Sequence, residues 1–161
     1  MWIAFNDLPD TARIWIFQSS KQIDAAQNNL ILENAKRFID GWESHGKSLK
    51  GSLEIFHDRF VVIGVDEQHN PVTGCSTDAS VNFVRFLGTE LGIDFFDRLN
   101  LPILLEDRVE LIPLQRFKKK DLPEAVTADS ITFNNLIQAK GQLEEAWRQP
   151  VSETWLAKYL H

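Results

Sequence analysis

The sequence predicts an α+β protein, a ferredoxin-like β-α-β-β-α-β sandwich with an added hairpin or strand and a C-terminal helical extension over its second sheet face. Three observations carry this. Helical and extended patterns alternate in that order, two of the strands sit close enough for a tight hairpin, and two strands are apolar on successive as well as alternate positions.

The first strand is ARIWIFQSS, rich in β-branched and aromatic residues and ended by Ser19 and Ser20. Ile31, Ala35, Phe38, Ile39 and Trp42 then recur at helical spacing, with Asp24 placed to cap a helix over about 25–44 and Gly46 placed to close it. SLEIF and RFVVIGV follow as two strands around His57 and Asp58. A second helix is predicted in STDASVNFVRFLGTEL, with Val81, Val84, Leu87 and Leu91 on one stripe and Gly92 past its end. DFFDRL reads as one helical turn capped by Asp94, and PILLEDRVELIP as one or two strands around Glu106 and Asp107.

Ile14 to Phe17 and Phe60 to Ile63 are apolar on both sides, the pattern of strands buried on two faces. A helix through Leu136, Ile137, Leu143, Ala146 and Trp147 would supply the cover, with Pro150 ending it and Ser152 capping a last short helix containing Trp155 and Tyr159. A homodimer partner would serve equally well. The expected organisation is a single domain over 1–161, with a core over about 1–113 and the extension over about 121–161.

A chain of 161 residues with 43% hydrophobic content buries a sizeable core. The net charge of -6 disfavours nucleic acid as a partner, because that affinity comes largely from Lys and Arg on phosphates. RFKKK, Arg116 to Lys120, is balanced by Asp121 and Glu124 and reads as a solvated face. One cysteine, no leader-like N-terminus and no apolar run of bilayer length predict a cytoplasmic protein without an integral membrane segment. His57 and His69 stand apart and one Cys offers no zinc spacing, so neither a metal nor a cofactor is expected.

Gly41, then four residues, then Gly46, Lys47 and Ser48 satisfy G-x-x-x-x-G-K-[ST] letter for letter. A phosphate loop needs a strand leading into the turn and a helix leading out, so that the first helical amides face the phosphates. Here a helix leads in and a strand leads out. FVVIGVDE ends in Asp66 and Glu67 as a magnesium-binding strand does, but it is the hairpin partner of the strand that follows the glycines. Context argues for a helix end followed by a hairpin.

The chain resembles, over most of its length, a group of short bacterial proteins that usually carry the label "ABC transporter ATPase". The resemblance rests on LPDTARIWIFQSS, Trp42 with His45 and Gly46, RFVVIGVDE, TGCSTDASV, IDFFDRL, and FNNL with Trp155. The label implies ATP hydrolysis. The chain has no LSGGQ-type signature and is shorter than a transporter nucleotide-binding domain, and the resemblance brings no catalytic residues with it.

Chain direction in the expected fold puts the connections 43–51 and 66–77 at one end, gathering His45 and Cys75 as candidate catalytic residues. Asp66, Glu67, Ser76, Thr77 and Asp78 are candidate ligand-binding residues there. Cys75 precedes or opens the second helix, with Ser76 as its expected cap, where free amides favour a thiolate. Packing competes with that chemistry, because free cysteine is among the most buried residue types. The sequence therefore supports a binding or interaction module for a small ligand or a protein partner first, a thiol-dependent enzyme second, and a nucleotide-hydrolysing protein third.

Overall fold

The computed structural model describes residues 1–160. Two sheets stack, with helices on the outer face of the first and a short helix and 3-10 turns behind the second. The first sheet holds β1 (Arg13–Gln18), β4 (Gly51–Phe56) and β5 (Phe60–Val65) in the order β1-β5-β4, each pair antiparallel. Between them come α1 (Ala25–Asp40) and a two-residue ladder, β2 (Glu43–Ser44) with β3 (Lys47–Ser48). After β5 runs α2 (Gly74–Leu91). With β1 and β4 both antiparallel to β5, they are parallel to each other across it, which is a split β-α-β unit.

Alternation explains the burial. Phe17 and Trp15 of β1, with Val61, Ile63 and Val65 of β5, face Ile31, Ala35 and Ile39 of α1 and Phe83, Val84 and Leu87 of α2. Ile14 of β1 and Phe60 and Val62 of β5 point the other way, into a second cluster with Phe5, Leu8, Phe133, Ile137 and Trp147. Gly64 faces the same side, where a Cβ would lie 2.6 Å from Leu8 Cδ1, so only glycine lets the N-terminal segment pack this closely. The second face is thus covered from within the chain, without a second copy.

The cover is not the expected helix. Residues 131–150 form β8 (Ile131–Phe133), a four-residue α4 (Gln142–Glu145) and β9 (Arg148–Pro150). Asn134 explains the break, because its Oδ1 accepts the Leu136 N–H at 3.1 Å and turns the chain out of the strand.

The fourth strand of the expected sandwich also goes elsewhere. β6 (Asn100–Leu105) does not join β1; it pairs with β7 (Arg108–Pro113) and β8 in a second antiparallel sheet ordered β7-β6-β8-β9. The outer edge of β1 is already taken: Ile14 N donates to the Gln138 carbonyl at 2.9 Å, Lys140 N to the Ala12 carbonyl at 2.9 Å, and Arg13 bridges Ala139. With that edge filled, β6 finds its partners in the later chain. One side of the second sheet brings Val109 and Phe133 to the first sheet. Its other side packs Ile103 and Ile112 on Phe117 of α3 (Leu114–Lys118), on Val151 and on Leu156.

Turns follow their residues. His57 and Asp58 both take positive φ (55 and 52), and Arg59 N donates to the Phe56 carbonyl at 3.0 Å, closing the β4–β5 hairpin with the twist its strands need. DFFDRL is not helical: Asp94 accepts the Phe96 N–H at 2.8 Å and Asp97 accepts those of Leu99 and Asn100, so two aspartate-centred turns consume the segment. No helix among the described residues is long and apolar enough to cross a membrane.

Candidate functional site

The connections 43–51 and 66–78 meet. The Asn70 carboxamide, buried, donates to the Ser44 carbonyl at 3.3 Å and the Lys47 carbonyl at 3.1 Å, Asp66 N donates to the Lys50 carbonyl at 2.9 Å, and the Trp42 indole donates to the Ser76 carbonyl at 2.9 Å. The phosphate-loop lookalike lies in this knot. Gly41 caps the end of α1, and His45 and Gly46 form the turn between β2 and β3 at φ 53 and 75, so Lys47 and Ser48 enter a ladder and not a helix. No row of free helical amides stands where a phosphate would need one.

The candidate residues at this end are mostly spoken for. The cap of α2 is Thr73, not Ser76: Thr73 Oγ1 accepts from Ser76 N at 3.3 Å while Ser76 Oγ accepts from Thr73 N at 2.7 Å, a reciprocal box that buries Ser76. Thr77 continues the helix, and its carbonyl accepts the Ser80 hydroxyl at 2.6 Å. Asp66 accepts the Gln68 N–H at 3.0 Å, and half-buried Glu67 and exposed Asp78 make no ion pair among the described residues. Cys75 and His45 are both exposed, no hydrogen bond joins them, and neither lines any of three clefts that lie elsewhere on the surface. No group of three His, Cys, Asp or Glu among the described residues could hold a metal ion.

Those three clefts lie along the two sheets. One, of about 670 Å³, runs over the β6–β7 hairpin, where the charged Arg108 and Glu110 pair at 3.1 Å. A second, of about 550 Å³, lies beside β4 between Phe5, Glu54, Phe56, Lys140 and Trp147. Its two cations are engaged: Lys140 Nζ donates to the Leu8 carbonyl at 2.6 Å and the Asn6 carbonyl at 3.1 Å, and Arg148 meets His57 Nε2 at 3.2 Å. Trp147 turns its ring into the core and is 2% exposed. Burial pushes the Glu54 carboxyl up against the pull of Lys140, and burial together with Arg148 pushes the His57 imidazole down. Both shifts follow from packing at the sheet's edge.

The third cleft, of about 420 Å³, differs in kind. It opens at the seam between the sheets and is built on carboxamides: Gln18 from the end of β1, Asn100 from the start of β6, Asn134 and Asn135 after β8, and Gln149 from β9. Gln18 is its fixed floor. The side chain is 5% exposed and donates to the Asn100 carbonyl at 2.8 Å while its Oε1 accepts from Asn135 at 3.4 Å. Asn135 Oδ1 in turn accepts the Trp147 indole N–H at 2.9 Å, and Asp97 holds Asn100 Nδ2 at 2.8 Å. The outer polar groups are idle: among the described residues the Gln149 carboxamide, the Asn134 amide nitrogen and the Arg98 guanidinium have no hydrogen-bond partner. At the rim stand Trp155, 57% exposed, and Leu136, 85% exposed.

A preorganised polar floor, unused donors and acceptors above it and an open aromatic face are the features of a small-molecule seat. Sequence reading missed it because its residues come from five separate segments. The available signal was the Asn134-Asn135 pair, which marks a turn inside a stretch read as helix, and the Trp155 indole on a terminal turn too short to bury it.

No protein-family model, no curated protein and no solved structure matches the chain.

Proposed function

We propose that the protein is a binding module and that its ligand seat is the carboxamide cleft under Trp155. The observation that carries this reading is the exposure of the Trp155 indole beside a buried, fully bonded Gln18 and idle amides at Asn134 and Gln149. Folding gains from burying an indole, and one left open beside carboxamides that make no hydrogen bond within the protein offers both an apolar face and polar groups to a ligand that arrives later. The split β-α-β half with two helices supports a ferredoxin-like kinship for the first sheet, and the unpaired Cys75 supports a reducing, cytoplasmic setting. The likeness to the short proteins labelled "ABC transporter ATPase" stands as a proposal of kinship, not of activity.

A thiol-dependent enzyme is the second reading. The exposure of Cys75 in the first turn of α2 favours it, and the lack of a hydrogen bond joining Cys75 to His45 weighs against it.

The test is a thermal-shift screen of the full chain against a library of polar metabolites, run in parallel on Trp155→Ala. The expected result is at least one compound that raises the melting temperature of the wild type and leaves the variant unmoved. A library without such a compound, or one whose hits stabilise both proteins equally, removes the cleft from this role.

A further inference from the structure

Resting on the reading of the cleft as the ligand seat, we infer that the ligand is a neutral saccharide, with one sugar ring laid on the Trp155 indole and its hydroxyls held by the carboxamides.

The chemistry is a match of faces. A pyranose presents one patch of C–H bonds and a rim of hydroxyls, each both donor and acceptor. The indole of Trp155 offers an exposed apolar face for the patch, held at 6.2 Å in an edge contact with Tyr159 and fixed by the Thr154 cap, whose Oγ1 accepts the Leu156 N–H at 3.2 Å. Carboxamides answer the rim, because one uncharged group carries two donors and an acceptor and can serve two neighbouring hydroxyls at once. Gln149 is free to do so and Asn134 offers its amide nitrogen, while Gln18 and Asn135 stand behind them locked by the hydrogen bonds already described.

Other ligand classes fit less well. The cleft's only charged side chains are Arg98 and Asp97, which offset each other, so a phosphate or other polyanion finds no excess of cations. A wholly apolar ligand would cover the idle amides without pairing them, at a cost of about 1–3 kcal/mol for each group so buried. A volume of about 420 Å³ lies within the roughly 300–1,000 Å³ of small-molecule sites.

The experiment is saturation-transfer NMR on the full chain with four neutral probes, maltose, cellobiose, lactose and N,N′-diacetylchitobiose, repeated on Trp155→Ala and Gln149→Ala. The expected result is transfer to the ring protons of at least one probe. Binding should weaken about tenfold or more in Trp155→Ala, the order lost with one stacked aromatic face, and measurably in Gln149→Ala. Trp155 is exposed and Gln149 half-buried, and unchanged melting temperatures confirm that the variants fold. No transfer from any probe, or transfer that survives Trp155→Ala, overturns the saccharide assignment. Sedimentation of concentrated wild type as a dimer that Trp155→Ala makes monomeric also overturns it, because the Leu136 and Trp155 surface is then a protein contact. Metabolite hits that depend on Trp155 but include no sugar leave the binding cleft standing and remove only the saccharide. A screen without any Trp155-dependent hit removes both.

Discussion

The Trp42 indole N–H donates to the Ser76 carbonyl at 2.9 Å and so ties the end of α1 to the first turn of α2 across 34 positions of sequence. Trp42 is buried and also packs on Phe38, with ring centroids 5.2 Å apart. Trp42→Phe keeps most of the packing and loses the bond, so chemical denaturation should show a loss of about 1 kcal/mol. Trp42→Ala also opens a cavity and should lose about 3–5 kcal/mol. Unchanged stability in Trp42→Phe would mean that the hydrogen bond contributes nothing.

ATP with magnesium should leave the melting temperature unchanged. A ligand at one hundred times its dissociation constant adds about 2.7 kcal/mol, a shift easily seen, but Lys47 and Ser48 lie in a ladder with no helix following. A shift that Lys47→Ala abolishes would show that the β2–β3 turn rearranges around nucleotide.

Cys75 should react in the folded protein. Its side chain is exposed, so a thiol reagent added without denaturant should label one site per chain, and Cys75→Ser should abolish the labelling with little change in stability. His45→Ala should leave the labelling rate as it is, because no hydrogen bond joins the two residues. A rate that falls severalfold in His45→Ala would revive the thiol enzyme.

Glu54 and His57 should tilt the pH–stability curve in opposite directions. The Glu54 carboxyl is pushed up by burial, so its contribution is fully present below the unfolded value of about 4.3 and is lost as pH rises through the folded value. Glu54→Gln should therefore gain on the wild type at neutral pH and lose that advantage in acid. The His57 imidazole is pushed down, so its contribution is present above about 6.5 and is lost as pH falls through the folded value. His57→Asn, chosen because asparagine tolerates the positive φ at this turn, should flatten the acid side of the curve. Parallel curves for wild type and both variants would mean that neither group titrates differently on folding.

Local chemistry made much of the first sheet legible. Unbroken apolar runs at 14–17 and 60–63 and the His57-Asp58 turn announce strands and a hairpin, and Asp24 caps α1 as expected, accepting from Gln27 N at 2.8 Å. The second sheet was harder to see, because the destination of β6 depends on which segment reaches the edge of β1 first, a competition settled by residues 138–140 that no local pattern around β6 reveals. The helical spacing of Leu136, Ile137, Leu143 and Trp147 misled for a related reason. Tertiary pairing of β8 and β9, seated by Asn134, outweighed periodicity. The knot of 43–51 with 66–78 followed from chain direction alone, whereas the carboxamide cleft needs both sheets in place before its residues meet.

The division of labour across the first sheet has a consequence for synthesis. Ile14, Phe60 and Val62 leave the ribosome well before Phe133, Ile137 and Trp147, which complete their shelter. At roughly 5–20 residues per second, a nascent chain holding the finished β1-β5-β4 sheet carries for several seconds an apolar face that only the N-terminal Phe5 and Leu8 can partly cover. In that interval the β1 edge that residues 138–140 later fill also stands open to any passing strand. The protein's exposure to misassembly is greatest while it is being made, and a stop codon placed between Pro113 and Ile131 would make that transient state permanent.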